Sequence, residues 1–357
     1  MLHTPFYDPE KSYEENFKDG PFGAFADGEV LETVQPSGLN KFDFWGFKIN
    51  SPFGIPAGPL LNAKFIKAAL DKGFDIPMHK TVRTRARKSH IWPNVLPVDL
   101  AGDLKLDSGP VHIKTNFEEP ISITNSFGNP SFEPKIWQAD LKEAVAYAKE
   151  GQIVSASFEG TRWPGYSDEE YVNDWVLAAK LLQETGVHFI EANLSCPNEG
   201  ITSLLCFDTP KVEIIAKAIK KEIGSLPLII KISYFADNEE LSQLVKQVGN
   251  IVDGFSVINT ISAEVVDKDG KQALPGEGRL RSGICGASIK WAGLDMVKKL
   301  KKIREEMGYT YTIIGVGGVM NPDDFFEYRE AGADAVMSAT GAMWNPYLAR
   351  DIKERLE

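Results

Sequence analysis

The chain has 357 residues, of which 43% are hydrophobic and 25% are charged, an ordinary balance for a globular protein with one large core. Its net charge of −11 argues against nonspecific nucleic-acid binding through a basic surface, and three cysteines in a long chain argue against a disulfide framework. No secretory signal and no membrane-spanning apolar stretch is evident, so we expect a cytoplasmic protein without nucleic-acid or membrane partners.

Residues 1–50 are rich in aromatic and acidic side chains and show no clear helical period. We expect them to form an extended arm that packs over one end of the main domain. That domain would span residues 51–357.

Beyond residue 50, short apolar runs alternate with amphipathic stretches. The predicted strands are 54–58, 78–82, 121–126, 153–158, 189–194, 228–233, 255–260, 312–316 and 335–339. The predicted helices lie near 62–72, 134–149, 168–185, 210–222, 237–249, 288–307, 322–331 and 346–356. This alternation predicts an α/β protein with a parallel sheet. About eight such units without a long break favour a closed (β/α)8 TIM barrel. An open doubly wound sheet is the alternative, although no Gly-x-Gly-x-x-Gly motif follows the first strand.

Two connections are longer than a barrel needs, at residues 83–120 and 262–287. Structureless loops of that length are uncommon in a compact domain, so we expect inserted hairpins or lids. Asp269-Gly270 is typical of a hairpin turn.

Polar residues cluster where the predicted strands end, which is the catalytic face of a barrel. These groups are Ala57-Gly58, His79-Lys80-Thr81, Asn125-Ser126, Asn193 to Asn198, Lys231, Asn259-Thr260, Gly317-Gly318 and Ala339-Thr340. Amides and lysines dominate, and the absence of paired carboxylates argues against a glycosidase. The five histidines show no metal-ligand spacing, so we expect no metal site.

Glycines follow the last two predicted strands, in Gly315-Val-Gly-Gly318 and Ala339-Thr-Gly341. Backbone N–H groups at glycines can approach an anion closely, and barrels often bind a phosphate at these two loops. The pattern therefore predicts a phosphate site, with ordinary tight turns as the alternative.

The segment Asn193-Leu-Ser-Cys-Pro-Asn198 is more specific. A thiol titrates near ~8.5, close enough to neutrality for a general base, and the two asparagines suit a planar, amide-bearing ligand. A small buried cysteine in a proline-stiffened turn is the alternative for Cys196. We interpret Cys206 and Cys285 as structural.

In this order, the motifs resemble the dihydroorotate dehydrogenases over roughly residues 45–357. The resemblance implies an FMN enzyme of pyrimidine biosynthesis that oxidises dihydroorotate to orotate. Cys196 would match the class 1 base, removing a proton from C5 while C6 gives a hydride to flavin N5. The implied substrate-binding residues are Lys80, Asn125, Phe127, Gly128, Asn129, Asn193, Asn198, Asn259 and Thr260. The implied FMN contacts are Ala57, Gly58, Lys80, Lys231, Gly283, Gly317, Gly318, Ala339 and Thr340, the last four of these near the phosphate.

Departures from the family pattern leave the exact ring and the electron acceptor open. The family's Asn-Ser-Met-Gly-Leu-Pro-Asn is here Asn125-Ser-Phe-Gly-Asn-Pro-Ser131, and the loop after Asn198 lacks the usual Pro-Gly. The alternative functions are oxidation of another dihydropyrimidine, such as dihydrouracil, and a non-redox barrel that binds a phosphate ligand.

The resemblance leaves two alternatives for the electron acceptor. One is fumarate, and the other is NAD, reached through an electron-transfer partner subunit. A quinone-binding helical pair is not expected in an arm that contains Pro5 and Pro9. Likeness to class 1A enzymes implies a homodimer.

Overall fold

The computed structural model describes residues 2–31, 42–107, 109–195 and 204–356. In chain order, its strands are β1 (Phe42–Phe44), β2 (Phe47–Ile49), β3 (Phe53–Ile55), β4 (Ile76–Val82), β5 (Val95–Pro97), β6 (Val111–His112), β7 (Ser122–Asn125), β8 (Ser155–Phe158), β9 (Ile190–Asn193), β10 (Leu228–Ile232), β11 (Gly254–Val257), β12 (Ile261–Val266), β13 (Arg281–Gly286), β14 (Thr312–Val316) and β15 (Ala335–Met337). The helices are α1 (Tyr13–Asp19), α2 (Ala63–Asp71), α3 (Pro134–Tyr147), α4 (Asp168–Gln183), α5 (Thr209–Ile223), α6 (Asn238–Val248), α7 (Lys290–Met307), α8 (Pro322–Ala331), α9 (Thr340–Trp344) and α10 (Leu348–Lys353).

Eight parallel strands close into a barrel in the order β3-β4-β8-β9-β10-β11-β14-β15, and β15 pairs with β3. The predicted TIM barrel is therefore confirmed, and the open sheet is excluded. The lower interior of the barrel is filled by apolar side chains, among them Met78, Phe189, Ile229 and Ile314. Because side chains alternate along a strand, the polar residues at the strand ends stand above this apolar filling.

The predicted strand 121–126 does not belong to the barrel. It forms β7 of a second sheet with the order β5-β7-β13-β12-β6. Its neighbours in this sheet are β5 and β13, which come from the two long connections. Strand β7 pairs antiparallel with both of them. A short apolar run is expected in any strand with buried faces, and for that reason periodicity could not assign it to one sheet or the other.

The N-terminal residues pack at both ends of the barrel. Phe6 and Phe25 join the main core, and the Phe6 N–H donates to the carbonyl of Met343 at 3.0 Å. The β1–β2 hairpin lies at the opposite end, where Phe44 and Trp45 contact the ring of Phe189 just before β9.

Helix α1 was not predicted from the sequence. Its signal is a capping box: the Ser12 side chain accepts from the Glu15 N–H at 3.2 Å, and the Glu15 carboxylate accepts from the Ser12 N–H at 2.8 Å. Seven residues are too few to produce a clear period.

In the described part of the chain, none of the helices combines the length and apolar character needed to cross a membrane.

Candidate active site

A cavity of about 480 Å³ opens at the carboxyl ends of the barrel strands, beneath the second sheet. Its volume lies within the range of small-molecule sites. The predicted site residues that line it are Ala57, Gly58, Lys80, Asn125, Phe127, Asn129, Asn193, Lys231, Asn259, Thr260, Gly283, Gly317, Gly318, Ala339 and Thr340. Gly128 lies in the same loop without lining the cavity, and its left-handed backbone (φ +76°) packs against the ring of His90. Cys196 and Asn198 lie outside the described residues.

Two asparagines on neighbouring parts of the barrel share one hydrogen-bond network. The Asn259 amide donates to Ser195 Oγ at 2.9 Å and to Asn193 Oδ1 at 3.4 Å, and Ser195 Oγ donates to the same Asn193 oxygen at 3.1 Å. Because the network uses the oxygen of Asn193, the amide can offer its N–H donors to a ligand. Ser195 was not predicted as a site residue, and its place in the network depends on the fold of the loop.

The second sheet supplies the opposite wall. The Asn125 amide donates to the Sγ of Cys285 at 3.2 Å, between β7 and β13. At Gly283, a Cβ atom would stand 2.2 Å from Thr260 Oγ1, so only glycine fits there. Cys285 was interpreted as structural, but it lines the cavity and holds a predicted substrate residue.

Lys80 and the Asn125–Ser131 loop are joined by an aromatic cluster. The Lys80 ammonium lies 5.0 Å from the centre of the Phe127 ring, within the range of a cation–π contact. Tyr7 and Tyr13 of the N-terminal segment both pack edge-on against that ring. Phe127, which replaces the family's methionine, therefore ties the loop to Lys80 and to the N-terminal segment.

Asn129, the second departure from the family pattern, is held by a buried ion pair. Its amide donates to Glu159 Oε2 at 2.5 Å, and its carbonyl accepts from Arg83 Nε at 3.1 Å. The Arg83 and Glu159 side chains form an ion pair at 3.0 Å and are almost completely buried. The conformation of this loop thus depends on two charged residues outside the motif.

Glycines form a concave surface at the end of β14. Gly317 and Gly318 both have positive φ angles, of +127° and +67°, and a Cβ at Gly318 would stand 2.7 Å from Lys290 Cβ. The next loop brings Ala339 and Thr340 to the same cavity, where α9 begins. The first N–H groups of a helix lack acceptors within it, so this surface suits a phosphate.

Lys231 is the cation on the barrel side of the cavity. It is 5% exposed, and its ammonium donates to Ser256 Oγ at 3.4 Å. Burial lowers the pKa of Lys231, and the nearby Glu191 carboxylate opposes that shift. At this depth, Lys231 is part of the cavity wall and not a surface side chain beyond the end of its strand.

Arg279, which was not predicted, fastens the long connections across the cavity. Its guanidinium donates to the carbonyls of Ile91 (2.8 Å), Pro93 (3.2 Å), Ser126 (2.8 Å) and Pro275, and to Ser126 Oγ (3.3 Å). An arginine inside a long connection gave no local sign of this role.

Arg279→Lys should lower the free energy of unfolding by about 1.5–3 kcal/mol, because an ammonium cannot replace five forked donors and charge-assisted hydrogen bonds are lost. Urea unfolding followed by fluorescence measures the effect. Arg281→Lys is the matched control: the Arg281 side chain is 58% exposed, so its replacement should change the stability little. Equal stability of the two variants would contradict the role assigned to Arg279.

Comparison with known proteins agrees with this geometry. A family model described as "Dihydroorotate dehydrogenase" matches residues 115–357. The curated "Dihydroorotate dehydrogenase" of Dictyostelium discoideum is 36% identical over an alignment of 362 residues, covering 98% of this chain and 96% of that protein. The chain belongs to the dihydroorotate dehydrogenase family.

Two further proteins are similar at lower sequence identity. The "Dihydroorotate dehydrogenase B (NAD(+)), catalytic subunit" of Enterococcus faecalis is 29% identical over 67% of this chain and 71% of that protein. The crystal structure of DHODH in complex with ferulenol from Eimeria tenella covers 92% of this chain and 85% of that chain, with a TM-score of 0.72 at 18% identity, and shows the shared fold. Family membership makes the protein an oxidoreductase of a flavoprotein family.

Proposed function

We propose that this protein oxidises dihydroorotate to orotate with FMN as its cofactor and Cys196 as the base. The observation that carries the proposal is the cavity itself. It brings asparagine amides, two lysines and a glycine-lined anion surface together at one end of a barrel. Planar imide rings need amide donors and acceptors, and a carboxylate and a phosphate need cations and backbone N–H groups. A homodimer is also proposed, because the resemblance to class 1A members of the family implies one.

The lining residues fit FMN at two places. Gly317, Gly318, Ala339 and Thr340 would hold the phosphate, since all four line the cavity at the ends of the last two barrel strands. A Cβ at Gly58 would meet no atom within 4 Å, so the cavity is open beside this residue, and a flat ring would have room there to contact Lys231 and Gly283. When bound, FMN would supply acceptance of the hydride from C6 of the substrate.

Dihydroorotate would lie between the two walls of amides. Asn193 and Asn259 would hold the ring from the barrel side together with Asn198, and Asn125 and Thr260 from the side of the second sheet. The carboxylate would face Lys80 and the backbone N–H groups of Phe127, Gly128 and Asn129. The Arg83–Glu159 pair would act indirectly, by fixing the loop that carries those groups.

Cys196 is the best of the three thiols for removing the proton from C5. Burial raises the pKa of Cys206 to about 12 and also raises the pKa of Cys285. Burial therefore disfavours the thiolate, which is the form that accepts a proton, at both of these positions. In the sequence, Cys196 comes three residues after Asn193, the last residue of β9, and immediately after Ser195.

Purified protein should be yellow, or should become yellow on reconstitution with FMN, and anaerobic dihydroorotate should bleach its visible absorption. Dihydrouracil at the same concentration should bleach it far more slowly, because it has no carboxylate to meet Lys80. Protein that cannot bind FMN would refute the proposal. Faster bleaching by dihydrouracil than by dihydroorotate would make dihydrouracil the substrate.

A further inference from the structure

Glu191 is a buried carboxylate that the proposed reaction does not use. It is 0% exposed, and neither of its oxygens has a hydrogen-bond partner among the described residues. Burying an ionised carboxylate without partners costs far more than burying a neutral side chain, so a counter-charge is expected nearby. Side-chain alternation along β9 puts Glu191 on the same face as Asn193, which lines the cavity.

The counter-charge on the next strand is Lys231. In the pairing of β9 with β10, Asn193 stands opposite Lys231 and Glu191 stands opposite Ile229. The usual spacing and rise of strands put the Cα atoms of Glu191 and Lys231 roughly 8 Å apart, within the combined reach of the two side chains. Lys231 forms no ion pair within 4 Å in the described residues, and Glu191 is the charged group that favours its protonated form.

The other strands around this pair bring few charges. Ser157 of β8 is opposite Glu191, and Ser256 of β11 is opposite Lys231. Lys80 of β4 is the other lysine that lines the cavity, and its ammonium lies over Phe127. Below the pair, the barrel is filled by apolar side chains. Among the described residues, charge balance on this side of the cavity therefore falls to Glu191 and Lys231.

We propose that Glu191 is a positioning residue whose negative charge keeps Lys231 protonated beneath the flavin. The inference rests on the proposed function, because it concerns FMN bound above Lys231. A positive charge close to a bound flavin tunes its electronics, and a protonated Lys231 would favour the more negative, reduced cofactor. Without Glu191, burial would discharge Lys231 at a lower pH, and the cofactor would become harder to reduce.

Glu191→Gln tests this inference, since it removes the charge and keeps the shape. Reductive titration of the FMN-loaded protein from pH 6 to 9.5 gives the midpoint potential. At pH 9, the equilibrium constant for flavin reduction should be at least tenfold smaller in the variant than in the wild type. For a two-electron couple, this makes the midpoint potential of the variant about 30 mV more negative. A potential equal to or more positive than the wild-type value across this range would overturn the inference.

Two variants with arginine at position 231 separate the effect of the Lys231 charge, because a guanidinium stays protonated over the whole pH range of the titration. Glu191→Gln combined with Lys231→Arg should lose the shift at high pH. Because Lys231→Arg changes a predicted FMN contact, its potential is compared with its own value at pH 6; from there it should follow the pH dependence of the wild type, and this comparison remains decisive if Glu191→Gln does not fold. A divergence between Lys231→Arg and the wild type at high pH would show that Lys231 discharges despite Glu191, and would overturn the inference.

Asp75→Asn is the matched control for loss of a buried carboxylate. Asp75 is 0% exposed, pairs with Lys353 at 2.8 Å and lies just before β4, at the end of the barrel away from the cavity. Its removal should lower stability without shifting the midpoint potential; a shift equal to that of Glu191→Gln would overturn the inference. Bleaching by dihydroorotate in the wild type tests the proposed function separately. If the wild type bleaches and Glu191→Gln shows no shift, this inference alone fails; if the wild type binds no FMN, both fail.

Discussion

Cys196→Ser should slow anaerobic reduction of the bound FMN by dihydroorotate by about 10²–10⁴-fold near pH 8, the usual contribution of a general base. A serine hydroxyl is a far weaker base than a thiol that titrates near ~8.5. The FMN content should be unchanged, because the predicted FMN contacts lie on other strands and loops. Stopped-flow absorbance measures the rate, and the flavin released on denaturation measures the content.

The control for this experiment is Cys206→Ser. Cys206 is 0% exposed and does not line the cavity, and burial raises its pKa to about 12. The same change from thiol to hydroxyl at that position should leave the rate of flavin reduction within a few-fold of the wild type. An unchanged rate in Cys196→Ser would place the base elsewhere, whereas equal losses in both variants would point to damage of the fold.

The barrel was predictable because its signals are local. The predicted helix at 322–331 has the bounds of α8: Asn321 caps its first turn, Pro322 begins it, and Gly332 ends it in the left-handed conformation. Each strand of the barrel pairs with neighbours that come from the same alternating pattern. A parallel sheet built in this way follows from periodicity and strand count.

The second sheet was not predictable in the same way. Its strand β7 pairs Asn125 with Gly283, and β6 pairs Val111 with Val265. These partners are more than a hundred residues apart in the chain, and β6 has only two residues. Neither a local period nor a turn signal indicates pairing between such distant strands. The sequence therefore predicted inserted hairpins but not that they form one sheet.

In the candidate site, too, residues with a local sequence signal were predicted, and residues that depend on distant contacts were not. Lys80, Lys231 and the asparagines were found because they end apolar runs and match a family's motifs. Arg279 and Glu191 were missed, since their importance comes from what surrounds them: carbonyls from distant loops in one case and an apolar barrel interior in the other. The roles of Cys196 and Asn198 stay predictions from the resemblance.

Arg83→Leu should lower the free energy of unfolding by about 3–5 kcal/mol, the usual cost of leaving one partner of a buried ion pair uncompensated. Arg83 follows β4 and Glu159 follows β8, and their side chains are 0% and 2% exposed. Removing Arg83 leaves the Glu159 carboxylate in a site without solvent. It also removes the hydrogen bond from Arg83 Nε to the carbonyl of Asn129, so the affinity for dihydroorotate should fall as well.

Urea unfolding midpoints, with Arg355→Leu as the control, separate this effect from the loss of any arginine. The Arg355–Asp323 pair has a similar distance, 2.8 Å, but its side chains are 48% and 84% exposed, so its removal should cost about 0–1 kcal/mol. The double variant Arg83→Leu, Glu159→Leu should recover much of the stability, because no uncompensated charge is left inside. It should not recover the affinity for dihydroorotate, since the Asn129 amide also loses its acceptor. A double variant less stable than Arg83→Leu would show that Glu159 contributes chiefly through its bond to Asn129 and not as the counter-charge of Arg83.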